Sequence, residues 1–300
     1  MLACPDFRAW QKEPSPVAAQ SHLTTLIIAI VIGAGALHAC WNALAKQVED
    51  QLMAFAVIGL TSAAIGGLVL AVTGLPYRTA IPYAIASGAI HIGYNLGLMN
   101  SYRLGSFNQT YPIARGTSPL IVAIGAYFLA HERLGPAALA GVVTLAVGLM
   151  SLAFSSGRLT RNDGPAVGVA LMTGLTIAAY TIVDGLGVRH AHNPLAYAAL
   201  LFVLQGPPMA IVAAFRRPAS AWRNAKTIRY GMLAGVLSVM AYGIVLWAQA
   251  RAPLAEVAAI RETSVVFAAL IGMAVLDEDF GRRRMAAAVV IATGIVLIGI

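Results

Sequence analysis

The chain has 300 residues, of which 59% are hydrophobic and only 11% charged, with a net charge of +8. A soluble globular domain carries about 25% charged residues, so no compact water-soluble fold hides this much apolar surface. Basic loops are what a membrane protein uses to orient its helices, and they account for the positive balance without a nucleic-acid partner.

Residues 1–22 hold charges, Pro14 and Pro16, and no small-residue cleavage site in the right place; they read as a disordered tail and not as a cleaved signal. Apolar runs follow with turn signals between them: 14–45, 51–77, 79–102, 104–130 (past Arg115), 134–157, 164–183, 193–215 and 230–250. Two more are 252–276, interrupted by Glu256, Arg261 and Glu262, and 285–300, whose helix starts within Gly281–Arg284. A spanning helix needs about 20 residues, so the pattern predicts an all-α membrane protein of ten transmembrane helices. The odd-numbered loops carry twelve cations and the tail and even loops six, which by the positive-inside rule puts both termini outside. Cys4 and Cys40 lie far apart and support neither a disulfide nor a metal site.

The chain is written twice. A shift of 146 residues aligns 107–150 with 253–296 without a gap, so that Arg115, Thr117 and Ser118 fall on Arg261, Thr263 and Ser264. His131-Glu132 falls on Asp277-Glu278, and, with a shift of 148, Tyr94 falls on Tyr242. The expected division is a first five-helix repeat over 23–155, an inter-repeat loop over 156–163 and a second five-helix repeat over 164–300. Five is odd, so the second copy enters the membrane from the opposite face. Inverted repeats around a central cavity are the architecture of alternating-access carriers, with substrate bound near the midplane.

Trp41-Asn42 with Lys46 closing helix 1, Tyr111-Pro112-Ile113-Ala114-Arg115 through Pro119-Leu120, and His131-Glu132-Arg133-Leu134 together resemble the drug/metabolite transporter superfamily in its ten-helix EamA-type branch. The resemblance covers about 23–300. Within that branch His91, Tyr94 and Tyr111 are similar to the cavity residues of aromatic and neutral amino-acid exporters. It implies two repeats rocking about a cavity lined by helices 1, 3, 4, 6, 8 and 9.

Arg115 and Arg261 carry the sharpest signal. A guanidinium at membrane depth costs roughly 3 kcal/mol on insertion scales, and this chain accepts that cost at equivalent places in both copies. Both are read as anion contacts or as a gating pair. Adjacent helical positions point about 100° apart, so Glu262 is not expected to share a face with Arg261, and Glu256 is also poorly placed; partners on another helix are required. Helix 4 holds Pro112 and Pro119, which remove backbone donors and favour a cavity wall there. Pro207-Pro208 kinks helix 7 in the same way.

On helix 3, His91, Tyr94, Asn95 and Leu98 share one face, with Gly93 and Gly97 as a small-residue packing frame beside them. Helix 1 offers His38, Trp41 and Asn42, helix 6 Tyr180 and Asp184, and helix 8 Tyr242, Trp247 and Gln249. The candidate substrate contacts are therefore His38, Trp41, Asn42, His91, Tyr94, Asn95, Tyr111, Arg115, Tyr180 and Tyr242. The candidate gate or charge pair comprises Arg115, Arg261, Glu262 and Asp184. Glu132 and Glu278 are expected to cap helices 5 and 10. Helix 1 has no buried carboxylate, against a cationic-drug antiporter. No HExxH, GxSxG or P-loop occurs, so the reading is not an enzyme, with neither cofactor nor metal. The expectation is a monomeric secondary transporter in a bacterial-type inner membrane that exports small polar metabolites, amino acids first. A sugar phosphate or other organic anion is the alternative substrate; a multidrug exporter or a membrane enzyme ranks lower.

Overall fold

The computed structural model describes residues 23–104, 107–153, 164–276 and 282–300. Among them it contains helices α1 (Thr25–Lys46), α2 (Gln51–Thr73), α3 (Ile81–Leu104), α4 (Phe107–Leu129), α5 (Pro136–Ala153) and α6 (Gly164–His190). The second half continues with α7 (Pro194–Gln205), α8 (Pro207–Arg216), α9 (Ala225–Gln249), α10 (Leu254–Arg261), α11 (Thr263–Leu276) and α12 (Arg282–Ile298). No strand occurs among the described residues. Counting α7 with α8 and α10 with α11 as interrupted spans gives ten, and seven of these are long and apolar enough to cross a membrane. The α10–α11 span is not among the seven: its break leaves helices of 8 and 14 residues. Large apolar side chains such as Leu68, Phe128 and Val296 point outward from the bundle, as a lipid-facing belt requires. The chain is a multi-pass membrane protein.

Helix ends follow local chemistry. Thr24, Asp50, Asn193 and Asn224 each stand before a helix and accept a hydrogen bond from an amide of its first turn. Helix α1 accordingly starts at Thr25, within the apolar run at 14–45. Two helices part from the sequence expectation. Span seven is not merely kinked: Pro207 and Pro208 lack the amides that would continue the ladder, so α7 ends at Gln205 and α8 begins at Pro207. Span nine is not continuous over 252–276 either; it breaks at Glu262. Helix α4, by contrast, stays helical through Pro112 and Pro119.

The helices pair as an inverted duplication demands. The α3–α6 contact is matched by α1–α9, and α4–α6 by α1–α11, while α2 packs on α7 and α5 on α12 across the pseudo-symmetry axis. Gly93 does not serve the close packing expected of it: among the described residues nothing lies within 4 Å of a Cβ built there. The tight approach is elsewhere, where α2 crosses the α7–α8 break. A Cβ on Gly59 would run into the Gly206 carbonyl oxygen, and one on Gly206 into the Gly59 carbonyl oxygen. The expected inter-repeat loop, 156–163, and Glu278 lie outside the described residues.

Alternating spans set two faces. The α1–α2 and α8–α9 connections share the first face, where Arg217 forms a bidentate ion pair with Asp50. The α2–α3, α4–α5, α6–α7 and α9–α10 connections share the second. There Tyr77 N donates to Ala191 O at 3.4 Å, and the Tyr77 and His192 rings stack at 4.6 Å.

Two measurements check this packing. Gly59→Val should destabilise the protein by about 1–3 kcal/mol through overpacking, read as a lower thermal midpoint in detergent; an unchanged midpoint would contradict the crossing. The hydrogen bonds from Arg217 hold the Asp50 carboxyl below the usual carboxylate range, with partial burial opposing. A depressed folded-state pKa stabilises above the unfolded value, about 3.9, and that stability is lost as pH falls through the folded value. Asp50→Asn should accordingly flatten the acid limb of midpoint against pH, and an identical limb in the variant would count against the pair.

Candidate functional site

At Glu262 the backbone hydrogen bonds tighten: Glu262 N bonds Ala259 O and Val265 N bonds Glu262 O, both at 3.0 Å and both three residues apart. This interruption re-aims the side chains around it. Glu262, fully buried, lies with Oε2 2.8 Å from Arg115 Nε and accepts at Oε1 from Arg261 Nη2 at 3.4 Å. The expectation that Glu262 could not meet Arg261 is thus overturned, because it assumed a regular helix through a point where the helix is broken. The need for a cross-helix partner holds for Arg115, which also donates from Nη2 to Ser264 Oγ at 2.7 Å. Pro119 removes the amide that would have bonded the Arg115 carbonyl, so backbone and side chain are specialised at the same level of α4.

The two guanidiniums differ. Arg115 is the closer partner of Glu262, whereas Arg261 touches it through one long contact, and its Nε finds no hydrogen-bond partner among the described residues. Two cations therefore share one carboxylate. Both arginines are 3% exposed, yet both line one central cavity of about 140 Å³.

Nine of the ten expected substrate contacts meet at this cavity: His38, Trp41, Asn42, His91, Tyr94, Asn95, Arg115, Tyr180 and Tyr242. Tyr111 lies in α4, with its side chain outside the described residues. His91 stacks on Tyr180 at 4.0 Å between centroids and meets Tyr242 edge-on at 5.7 Å. Helix 1 binds part of its own polar face: Trp41 Nε1 donates to His38 Nδ1 at 3.2 Å and Asn42 Nδ2 to the His38 carbonyl at 2.8 Å. Arg261 also lines the cavity, while Asp184 does not, and no described Arg or Lys forms an ion pair with it. It is held by tyrosine hydroxyls instead.

The sequence missed one wall. Phe55, Ile58, Gly59 and Ser62 of α2, with Phe202, Gln205, Gly206 and Met209 of the α7–α8 span, close the cavity on the side opposite α4. These residues are mostly apolar or small and carried no polar signal; the Gly206-Pro207-Pro208 break was the one legible mark. The lining reaches from the midplane towards the first face, through Trp41, Asn42, Phe55 and Met209.

The second face is sealed by an ion-pair junction. After α4, His131 takes a left-handed φ of 55° and turns Glu132 back towards the bundle. Glu132 accepts from Arg189 Nη2 at 2.6 Å and from Leu254 N at 2.8 Å. It was expected to cap helix 5, but that helix starts only at Pro136, and Glu132 caps α10 of the other repeat instead. Arg189 also donates to the Gln249 and Ala252 carbonyls, both at 2.9 Å, so one guanidinium closes the end of α9. Burial pushes the Glu132 carboxyl up, and Arg189 and the α10 amides pull it back.

Among the described residues no group of three His, Cys, Asp or Glu is placed to hold a metal. Glu262→Gln should leave two buried guanidiniums without a counter-charge, at about 3–5 kcal/mol, visible as a thermal midpoint well below wild type. Adding Arg115→Met should recover part of it; a single variant as stable as wild type would contradict the shared carboxylate.

No curated protein matches the sequence. Among solved structures the chain is similar to a protein of known crystal structure, with a TM-score of 0.73 and 17% identity over 91% of this chain and 97% of that one. At that identity the likeness shows the fold. Residues 164–300 match the profile of the EamA-like transporter family.

Proposed function

We propose that the whole chain, both repeats, is a secondary transporter of the drug/metabolite type that moves small polar metabolites, amino acids first, by alternating access about the central cavity. The observation that carries this reading is Arg261: a buried guanidinium on the cavity wall, held by one 3.4 Å contact and with an Nε that has no described partner. A substrate carboxylate satisfies such a group with charge-assisted hydrogen bonds. Trp41, Phe55, His91, Tyr94, Tyr180 and Tyr242 supply aromatic faces for a side chain or, by cation–π attraction, for an ammonium group. The volume favours a small solute, since pockets for drug-sized ligands run to about 300–1,000 Å³, which weighs against a multidrug exporter.

The arginine pair also supports an organic anion such as a sugar phosphate. Glu262 already offsets one of the two cations, and the single surplus charge suits a carboxylate better than a phosphate dianion. The sealed second face and the lining that leans towards the first support one end of an alternating-access cycle. Export across an inner membrane by a monomer completes the proposal.

Reconstituted protein should show counterflow of labelled amino acids in liposomes. Arg261→Ala should cut the initial rate by about ten- to a hundredfold, the worth of a charge-assisted hydrogen bond, and Arg115→Ala should also cut it sharply. Wild-type rates in both variants would sink the assignment. Competition by phosphate esters in place of unlabelled amino acid would move it to the organic-anion class.

A further inference from the structure

Asp184 is a buried carboxylate that the anion site does not use. It lies in α6, fully buried, where three other helices converge on it. Tyr197 of α7 donates its hydroxyl to Oδ1 at 2.9 Å, and Tyr242 of α9 donates to Oδ2 at 2.5 Å. The Ser87 hydroxyl of α3 stands beside the same carboxyl. The titratable groups around it are His91 from α3, Tyr197 from α7, Tyr242 from α9 and Tyr180 on α6 itself, with Tyr83 of α3 beside Tyr197. Arg261 and Arg115 line the same cavity as Tyr180 and Tyr242. Arg189, one turn on, is engaged by Glu132.

A carboxylate held by hydroxyls differs from one held by a cation. Hydroxyl groups donate to the ionised acid, and by rotating they accept from the neutral acid. The pocket thus accommodates both protonation states without leaving a buried cation unpaired. It is also wired to the substrate cavity. Ser87 Oγ lies 3.1 Å from His91 Nδ1, and His91 lines the cavity, as does Tyr242. The Tyr242 hydroxyl therefore joins Asp184 directly to the cavity wall, and the Ser87 hydroxyl, hydrogen-bonded to His91, offers a second path beside it. The carboxyl joins helices of both repeats, so a change in its hydrogen bonds bears on the contact across which they move.

We propose that Asp184 is the proton-binding site of the carrier, exchanging protons with the cavity along His91 and Ser87 and coupling proton movement to substrate movement. This rests on the transporter reading above. The step is a simple protonation: the carboxylate takes one proton from cavity water through the His91–Ser87 relay and returns it by the same groups.

Two measurements test it. Infrared difference spectra of the protein in lipid, taken across a pH titration, should contain a protonated-carboxyl band that Asp184→Asn lacks and Tyr197→Phe shifts in pH. A wild-type titration without such a band overturns the proposal. In liposomes, the initial rate of L-phenylalanine and L-threonine uptake should respond to an imposed pH gradient in wild type. Asp184→Asn should keep counterflow at equal pH and lose that response; if the Asn variant does not fold, Tyr197→Phe should move the pH range over which the response appears, and an unmoved range counts as a full response. Wild-type counterflow indifferent to the gradient, or a variant with a full response, overturns the coupling and leaves the transport reading standing. If wild type shows no counterflow of any amino acid, the amino-acid reading fails, and the infrared titration alone decides the proton site.

Discussion

One carboxylate between two guanidiniums organises the centre of this protein. Glu262 is fully buried at the break between α10 and α11, and it holds Arg115 from one repeat and Arg261 from the other. Neither cation could sit at that depth alone at tolerable cost, and a second carboxylate would leave no charge for a ligand. One carboxylate for two arginines keeps the site folded and still electropositive.

The helix breaks make that geometry available. At Glu262 and again at Gly206, a span stops and restarts near the midplane, and both places border the same cavity. Irregular backbone at membrane depth is tolerated where it faces protein or a cavity. The Gly59–Gly206 approach brings α2 against the second break and makes the wall opposite α4. Function and packing therefore draw on the same irregularities.

The second face is closed by chemistry of a different kind. Arg189 and Glu132 tie the end of α9, the start of α10 and the α4–α5 connection into one junction, with the Asp184 cluster one layer deeper. The first face carries a half-exposed ion pair, Asp50 with Arg217, which water and salt screen. Charge pairs at the two ends are thus unequally buried, as they would be in one state of a carrier that opens each face in turn.

Composition and periodicity determined the helical membrane class, and the ungapped match of Arg115 to Arg261 revealed the duplication, because both are written in residue order. His38, His91, Tyr94, Tyr180 and Tyr242 were legible as cavity candidates because a polar group inside an apolar span has few other places to face. The α2 and α7–α8 wall was not legible, since apolar residues carry no mark of which neighbour they meet. Glu262 stood among the candidate charge-pair residues, but its contact with Arg261 was ruled out on helical geometry, and Glu132 was assigned to the helix beside it in sequence. Both errors have one physical cause: salt bridges and caps are satisfied by whatever lies within about 3 Å in space, and only the packed helices decided that Glu262 reaches α4 and Glu132 reaches α10.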